Sequence, residues 1–190
     1  MIDLRHRNVH LSYEQGSGGT SLCLTIAKRY LKNGNKVIWL SKYLPDRERT
    51  AQIFRELKSK ELEKISFIEI ENNLEDSSKI LKYFSPNMSH EDIIIIDDWC
   101  NKDGRAKKKD IDALKNIVFD YNNVKILVSS ASYSNVGSDA QRWGSKGGNE
   151  LRDIMDTIFL YRVSEMDNVR ILKDGEDSKR ISLLQTGFEL

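Results

Sequence analysis

Val9–Ala27, VHLSYEQGSGGTSLCLTIA, places a short apolar run ending at Tyr13 before a glycine and serine loop (Gly16, Ser17, Gly18, Gly19), then a stretch from Thr20 to Leu31 with helical spacing. Strand, loop and helix in that order make a phosphate-binding layout, because successive backbone N–H groups and a helix N-terminus point at one anion. The full pattern G-x-x-x-x-G-K-[ST] also needs a first glycine to turn the chain and a lysine to reach the outer phosphates. Tyr13 stands in that first position and Gly19 in the lysine position. The loop keeps its backbone and lacks its charge. Three readings are open at this point: a dead nucleotide site, a weak one, or a glycine-rich turn.

Working outward, Lys36 to Ser41 (KVIWLS) is a β-rich run, and Asp46 to Lys64 reads as one long charged helix with apolar positions at Ile53, Phe54 and Leu57. Ile65 to Ile70 reads as a third strand, followed by a helix from about Leu74 to Phe84 that stops before Pro86. Asp92 to Asp97 (DIIIID) sets four isoleucines between aspartates, the pattern of a strand buried on both faces in a parallel sheet. A polar loop, a helix from about Asp110 to Tyr121 and a buried strand at Val124 to Ser130 come next. Ala131 to Gly148 reads as a long polar loop, a length that compact domains keep for a functional or mobile role. Three β-rich runs close the chain: Ile154 to Val163, Asn168 to Lys173 and Arg180 to Thr186. Alternating strands and helices followed by a strand meander predict a parallel α/β sheet with an antiparallel C-terminal edge.

The composition narrows the function classes. The chain has 190 residues, 39% of them hydrophobic, enough for one domain with a sizeable core. Thirty basic and 29 acidic side chains leave a net charge of +1, so any nucleic-acid affinity has to come from local clustering. Two cysteines, Cys23 and Cys100, are too few for a disulfide framework. No apolar run approaches the ~20 residues of a membrane span, and the N-terminal MIDLRHRN lacks a signal-peptide core. An intracellular, soluble protein is expected.

In such a sheet, ligands bind at the C-terminal ends of the strands. The apolar strand ending at Asp97 then brings that carboxylate beside the glycine loop, where a phosphate-binding protein holds Mg²⁺ with the help of the loop's Ser/Thr, here Thr20. Without the lysine, the β- and γ-phosphates lose their nearest cation, and efficient hydrolysis is not expected. Binding without hydrolysis stays open, with Lys42 or Lys146 as a substitute cation. Two loops at the same end of the sheet carry cations and aromatics: Arg105, Lys107, Lys108 and Lys109 in one, Tyr133, Arg142, Trp143 and Lys146 in the other. That mixture suits single-stranded nucleic acid, with cations along the phosphates and rings against the bases. His6, His10 and His90 are too scattered for metal-ligand spacing, and no motif marks Ser129, Ser130 or Ser132 as a nucleophile.

With these motifs in place, the sequence resembles the RecA/RadA recombinase superfamily, including its RadB and KaiC-like members. Glu14, Gly16, Ser17, Gly18, Thr20, Leu22 and Cys23 fall in register with the family's G-E-x-G-S-G-K-T-x-L-C segment. VIWLSKYLPDRERTAQI resembles the family segment that carries its catalytic glutamate and an R-P-E-R tail, but Tyr43 stands near the glutamate position. IIIIDD matches the second nucleotide motif through Asp97, GGNELRDIMDTIFLYR the Gly-Gly-Asn segment and its strand, and LLQTGFEL the closing strand. The resemblance implies an α/β, RecA-like P-loop NTPase fold over residues 1–190: a mainly parallel central sheet, flanking helices and an antiparallel C-terminal extension.

It further implies a degenerate nucleotide site at Gly16, Ser17, Gly18, Gly19, Thr20, Ser21 and Asp97, with ATP and Mg²⁺ as the cofactor left open by the missing lysine. The two basic loops correspond to the family's DNA-binding loops. The expected function is a non-catalytic paralogue that binds single-stranded DNA, a RadA-type recombinase or another RecA-fold paralogue, and modulates homologous recombination and repair. It is expected in the cytoplasm or a nucleus, away from membranes, alone or in a homo- or hetero-oligomer. The alternatives are a KaiC-like ATP-binding regulatory NTPase and a structural RecA-fold subunit of a larger complex.

Overall fold

The computed structural model describes residues 8–70, 73–134, 143–164 and 167–189. Its centre is β4 (Ile93–Asp97), whose five residues are all buried. Ile93 and Ile95 face one apolar layer and Ile94 and Ile96 the other, as alternation along a strand requires. The side chains of all four have no solvent exposure. Burying each stabilises the fold by about 1.5–3 kcal/mol relative to leaving it in water.

The parallel core runs β8 (Asp156–Arg162), β1 (Val9–Tyr13), β5 (Lys125–Ala131), β4, β2 (Val37–Ser41) and β3 (Ile65–Glu69). β9 (Val169–Asp174), β10 (Asp177–Leu184) and β11 (Gly187–Glu189) extend it antiparallel beyond β8. The predicted α/β architecture with an antiparallel C-terminal edge is the observed one.

One face of the sheet packs on α1 (Gly19–Lys32), which buries Leu22, Leu24, Ile26 and Leu31. Gly34, at φ +84°, reverses the chain after α1 and donates its N–H to the Leu31 carbonyl. The other face of the parallel core packs on α4 (Leu74–Phe84) and α5 (Lys108–Asp120), which bury Leu74 and Leu81, and Ile111, Leu114 and Ile117.

Most boundaries shift by one or two residues, α5 for one starting at Lys108 rather than Asp110, and the larger differences have local reasons. The expected helix from Asp46 to Lys64 is two: α2 (Arg47–Phe54) and α3 (Ser59–Leu62). Leu57 turns inward with its N–H on the Phe54 carbonyl, and the Glu61 carboxylate caps the Lys58 N–H at 2.6 Å, so a new helix starts there. The stretch read as loop up to Gly148 contains the two-residue strands β6 (Tyr133–Ser134) and β7 (Trp143–Gly144), paired antiparallel. A short helix, α6 (Asn149–Arg152), precedes β8, so that strand begins two residues later than expected. The last strand starts at Asp177 rather than Arg180, and the terminal segment folds back as β11, because Gly187 at φ +104° makes a tight turn.

Candidate functional site

The seven residues expected at the nucleotide loop come together at the C-terminal end of β1 and β4. Gly16 (φ +79°) and Gly18 (φ +96°) hold the left-handed backbone that swings the chain from β1 into α1. Gly18 is the N-cap of α1, and among the described residues the N–H groups of Gly19, Thr20 and Ser21 have no backbone acceptor. These amides give the loop its anion-binding capacity. Thr20 Oγ1 donates to Asp97 Oδ2 at 2.9 Å, and Ser129 Oγ donates to Asp97 Oδ1. The Ser17 hydroxyl is buried without a partner, and Arg170 Nε donates to the Ser17 carbonyl at 2.9 Å.

What fills the loop was not legible from its glycines. Tyr13, in the first-glycine position, lays its ring against Gly19, in the lysine position. A Cβ added at Gly19 would lie 2.3 Å from Tyr13 Cδ1. The Tyr13 hydroxyl then donates to Asp98. Asp98 has φ +51°, the one positive φ at a non-glycine among the described residues, and its carboxylate also pairs with Lys102 at 3.3 Å. The two departures from the phosphate-loop pattern are therefore one arrangement: a glycine at position 19 is the residue that leaves room for the tyrosine ring.

Burial, with the neighbouring Asp98 charge, raises the Asp97 carboxyl to about 6, against the hydrogen bonds from Ser129 and Thr20 that lower it. Burial pushes the Tyr13 phenol upward, and the charge and hydrogen bond of Asp98 add to that, so the phenol stays protonated and keeps donating. These residues do not fit Mg²⁺-ATP in the way the pattern implies. The lysine is replaced by a ring contact, and the guanidinium beside Gly16, that of Arg162, is paired with Glu14 at 3.3 Å; Thr20 beside Asp97 is the part of the pattern that is kept.

On the outer side of the loop, the C-terminal strands press close. A Cβ at Gly18 would meet Leu183 Cδ2 at 3.1 Å and Phe188 Cε2 at 3.4 Å. Arg49 of α2 fastens this packing, donating to Ser21 Oγ (3.1 Å), the Leu184 carbonyl (2.8 Å) and the Gln185 carbonyl (2.9 Å).

The residues expected to contact DNA are divided. Arg105 and Lys107, on the loop after β4, and Lys109, in the first turn of α5, are exposed. Lys108 is tied to Asp112 (3.2 Å) and to Glu150, which also holds Lys115 at 3.0 Å. Lys146 is 1% exposed and donates to the carbonyls of Asn101 and Lys102, so it joins two loops and presents no charge to solvent. It is not the free cation the sequence reading supposed. Burial lowers the pKa of its ammonium. Lys42 lines a cavity of about 140 Å³ with Asp98, Lys107 and Lys109.

Tyr133 is half-buried, its ring against Gly144 across the β6–β7 pair; with Arg105 and Lys146 it lines a cavity of about 830 Å³ that reaches Arg152 and Phe159. Trp143 has its backbone in β7, and Arg142 lies outside the described residues. Within β1, His10 is fully buried between Ser130 (2.9 Å) and Trp99, and burial lowers its pKa to about 3, so it is neutral. No group of His, Cys, Asp and Glu able to hold a metal occurs among the described residues.

Sheet order, glycine loop and strand-end aspartate together define a RecA-like fold, the fold of recombinase and replicative-helicase ATPase domains. Among solved structures, the chain is similar to the RadB recombinase, with a TM-score of 0.71 and 14% identity over 97% of this chain and 90% of that one. A DnaB-like replicative helicase, solved in a study of its interactions with primase, gives 0.63 and 15% over 97% of this chain and 57% of the helicase chain. A third solved structure, an ATPase domain, gives 0.63 and 16% over 97% and 84%. No protein-family model matches the sequence, and no curated protein matches it. Among the described residues, no helix is long and apolar enough to cross a membrane.

Proposed function

We propose that this chain is a non-catalytic RecA-fold paralogue, which binds single-stranded DNA or a recombinase partner and modulates homologous recombination and repair. The observation that carries this reading is the Tyr13 ring seated on Gly19 and hydrogen-bonded to Asp98. The ring stands where a phosphate loop's lysine would reach the outer phosphates, which supports a fold retained for something other than turnover. The exposed Arg105, Lys107 and Lys109 supply cations at the same end of the sheet.

A second reading, an assembly subunit of a larger complex, is favoured by the loss of Lys108 and Lys146 to internal partners. A titration of labelled single-stranded DNA at two salt concentrations, with and without Mg²⁺-ATP, separates the readings. The proposal expects salt-sensitive binding that ignores ATP. Binding that requires ATP contradicts the non-catalytic reading, and no binding at either salt moves the case to the assembly subunit.

A further inference from the structure

The antiparallel extension has one covered face and one open face. Ile158, Leu160, Leu172, Ile181 and Phe188 point into the layer beneath α1. By alternation, the opposite face carries Phe159 and Tyr161 of β8, Ile171 and Lys173 of β9, and Arg180 of β10. The apolar layer under α4 and α5 contains no residue of β8, β9 or β10, so among the described residues this face lacks the helical cover that the parallel core has.

Register places these residues in two rows across the strands. Tyr161 lies opposite Ile171 and Ile171 opposite Arg180, while Phe159 lies opposite Lys173. The Phe159 and Tyr161 rings are half-buried and stacked, 5.8 Å between centroids and 10° from parallel. Lys173 is exposed beside Phe159 and Arg180 is exposed one strand beyond Ile171; of the carboxylates, Glu189 sits at the far edge opposite Ser182, and Glu14, at the end of β1, lies near enough to Tyr161 for its charge to raise the phenol's pKa. Phe159 also lines the cavity that holds Arg105 and Tyr133, so the face continues into the basic loop.

A parallel aromatic stack flanked by cations on an uncovered sheet matches single-stranded nucleic acid, whose bases extend the stack while the phosphates meet the cations. We infer that the open face of β8–β10 is a single-stranded nucleic-acid platform, with Phe159 and Tyr161 as base-stacking residues and Lys173 and Arg180 as phosphate contacts. This rests on the nucleic-acid reading above and moves the base contacts from the loops to the sheet.

The test uses the full chain and a labelled oligothymidylate, titrated across a salt series. Phe159→Ala with Tyr161→Ala is expected to weaken binding by roughly thirtyfold or more with the salt slope unchanged. Lys173→Ala with Arg180→Ala, both exposed and outside the core, is expected to reduce the log–log salt slope by roughly 1.4, about 0.7 for each lost phosphate contact. If wild-type protein binds and both pairs bind equally well while Arg105→Ala with Lys107→Ala and Lys109→Ala does not, the platform is overturned and the nucleic-acid reading stands. If wild-type protein fails to bind, both fall. If either pair abolishes self-association in sedimentation without changing DNA affinity, the face belongs to a protein contact and the platform is overturned.

Discussion

The glycine loop and the open face of β8–β10 lie at two ends of the same chemistry. In the loop, the position of the pattern's lysine is lined from within: the Tyr13 ring lies on Gly19 and its hydroxyl donates to Asp98. On the open face, aromatic and basic side chains have no helix over them among the described residues. The same sheet thus carries a glycine loop packed by its own chain at one place and a face without helical cover at another.

The comparison breaks most visibly at Gly19. Gly19→Lys puts a Cβ 2.3 Å from a ring carbon of Tyr13, and is expected to destabilise the chain by about 3 kcal/mol or more in urea denaturation, the upper end of overpacking. Adding Tyr13→Gly should recover much of that loss, a non-additivity expected of residues in contact. Two additive losses would mean the ring and the glycine are not one arrangement.

Asp97 gives an effect of similar size and opposite sign. Its folded-state carboxyl is raised from 3.8 to about 6. Between those values the folded chain holds a proton that the unfolded chain has released. The site is therefore least unfavourable below about pH 4 and loses stability as pH rises through about 6, leaving a cost of about 3 kcal/mol above it. Asp97→Asn should remove this pH dependence and raise the melting temperature at pH 8, measured by thermal unfolding across a pH series.

A smaller effect is expected where α2 clips the loop to the C-terminal strands. Arg49→Ala loses hydrogen bonds to Ser21, Leu184 and Gln185 and should cost about 1–2 kcal/mol, since the side chain is partly solvated. Smallest of all, Tyr161→Leu on the open face should change stability by less than about 1 kcal/mol, because a half-buried ring on an uncovered sheet gives up little packing. A loss as large as that at Gly19 would mean the face is part of the core.

The fold was legible because its strongest signals are local: an unbroken apolar run and glycines at turns. DIIIID declared a strand buried on both sides, and Gly16, Gly18 and Gly34 marked turns that only their φ angles explain. The boundaries that shifted, at Lys58 and Gly187, depend on a single cap and a single turn, which sequence periodicity does not weigh. In the site, the pairing of Thr20 with Asp97 followed from motif spacing. The link from Tyr13 to Asp98 did not, because it joins residues 85 positions apart through a backbone angle at Asp98 that no residue type announces. Lys146 misled for a related reason: charge pattern predicts exposure, and two backbone carbonyls took the ammonium inward instead.

The central claim is that Tyr13 and Gly19 together close the phosphate loop. Calorimetric titration of Mg²⁺-ATP into the native chain and into the Tyr13→Gly/Gly19→Lys pair tests it directly. The account predicts no saturable binding to the native chain and saturable binding to the pair. Binding of equal strength to both, or to the native chain alone, would contradict it.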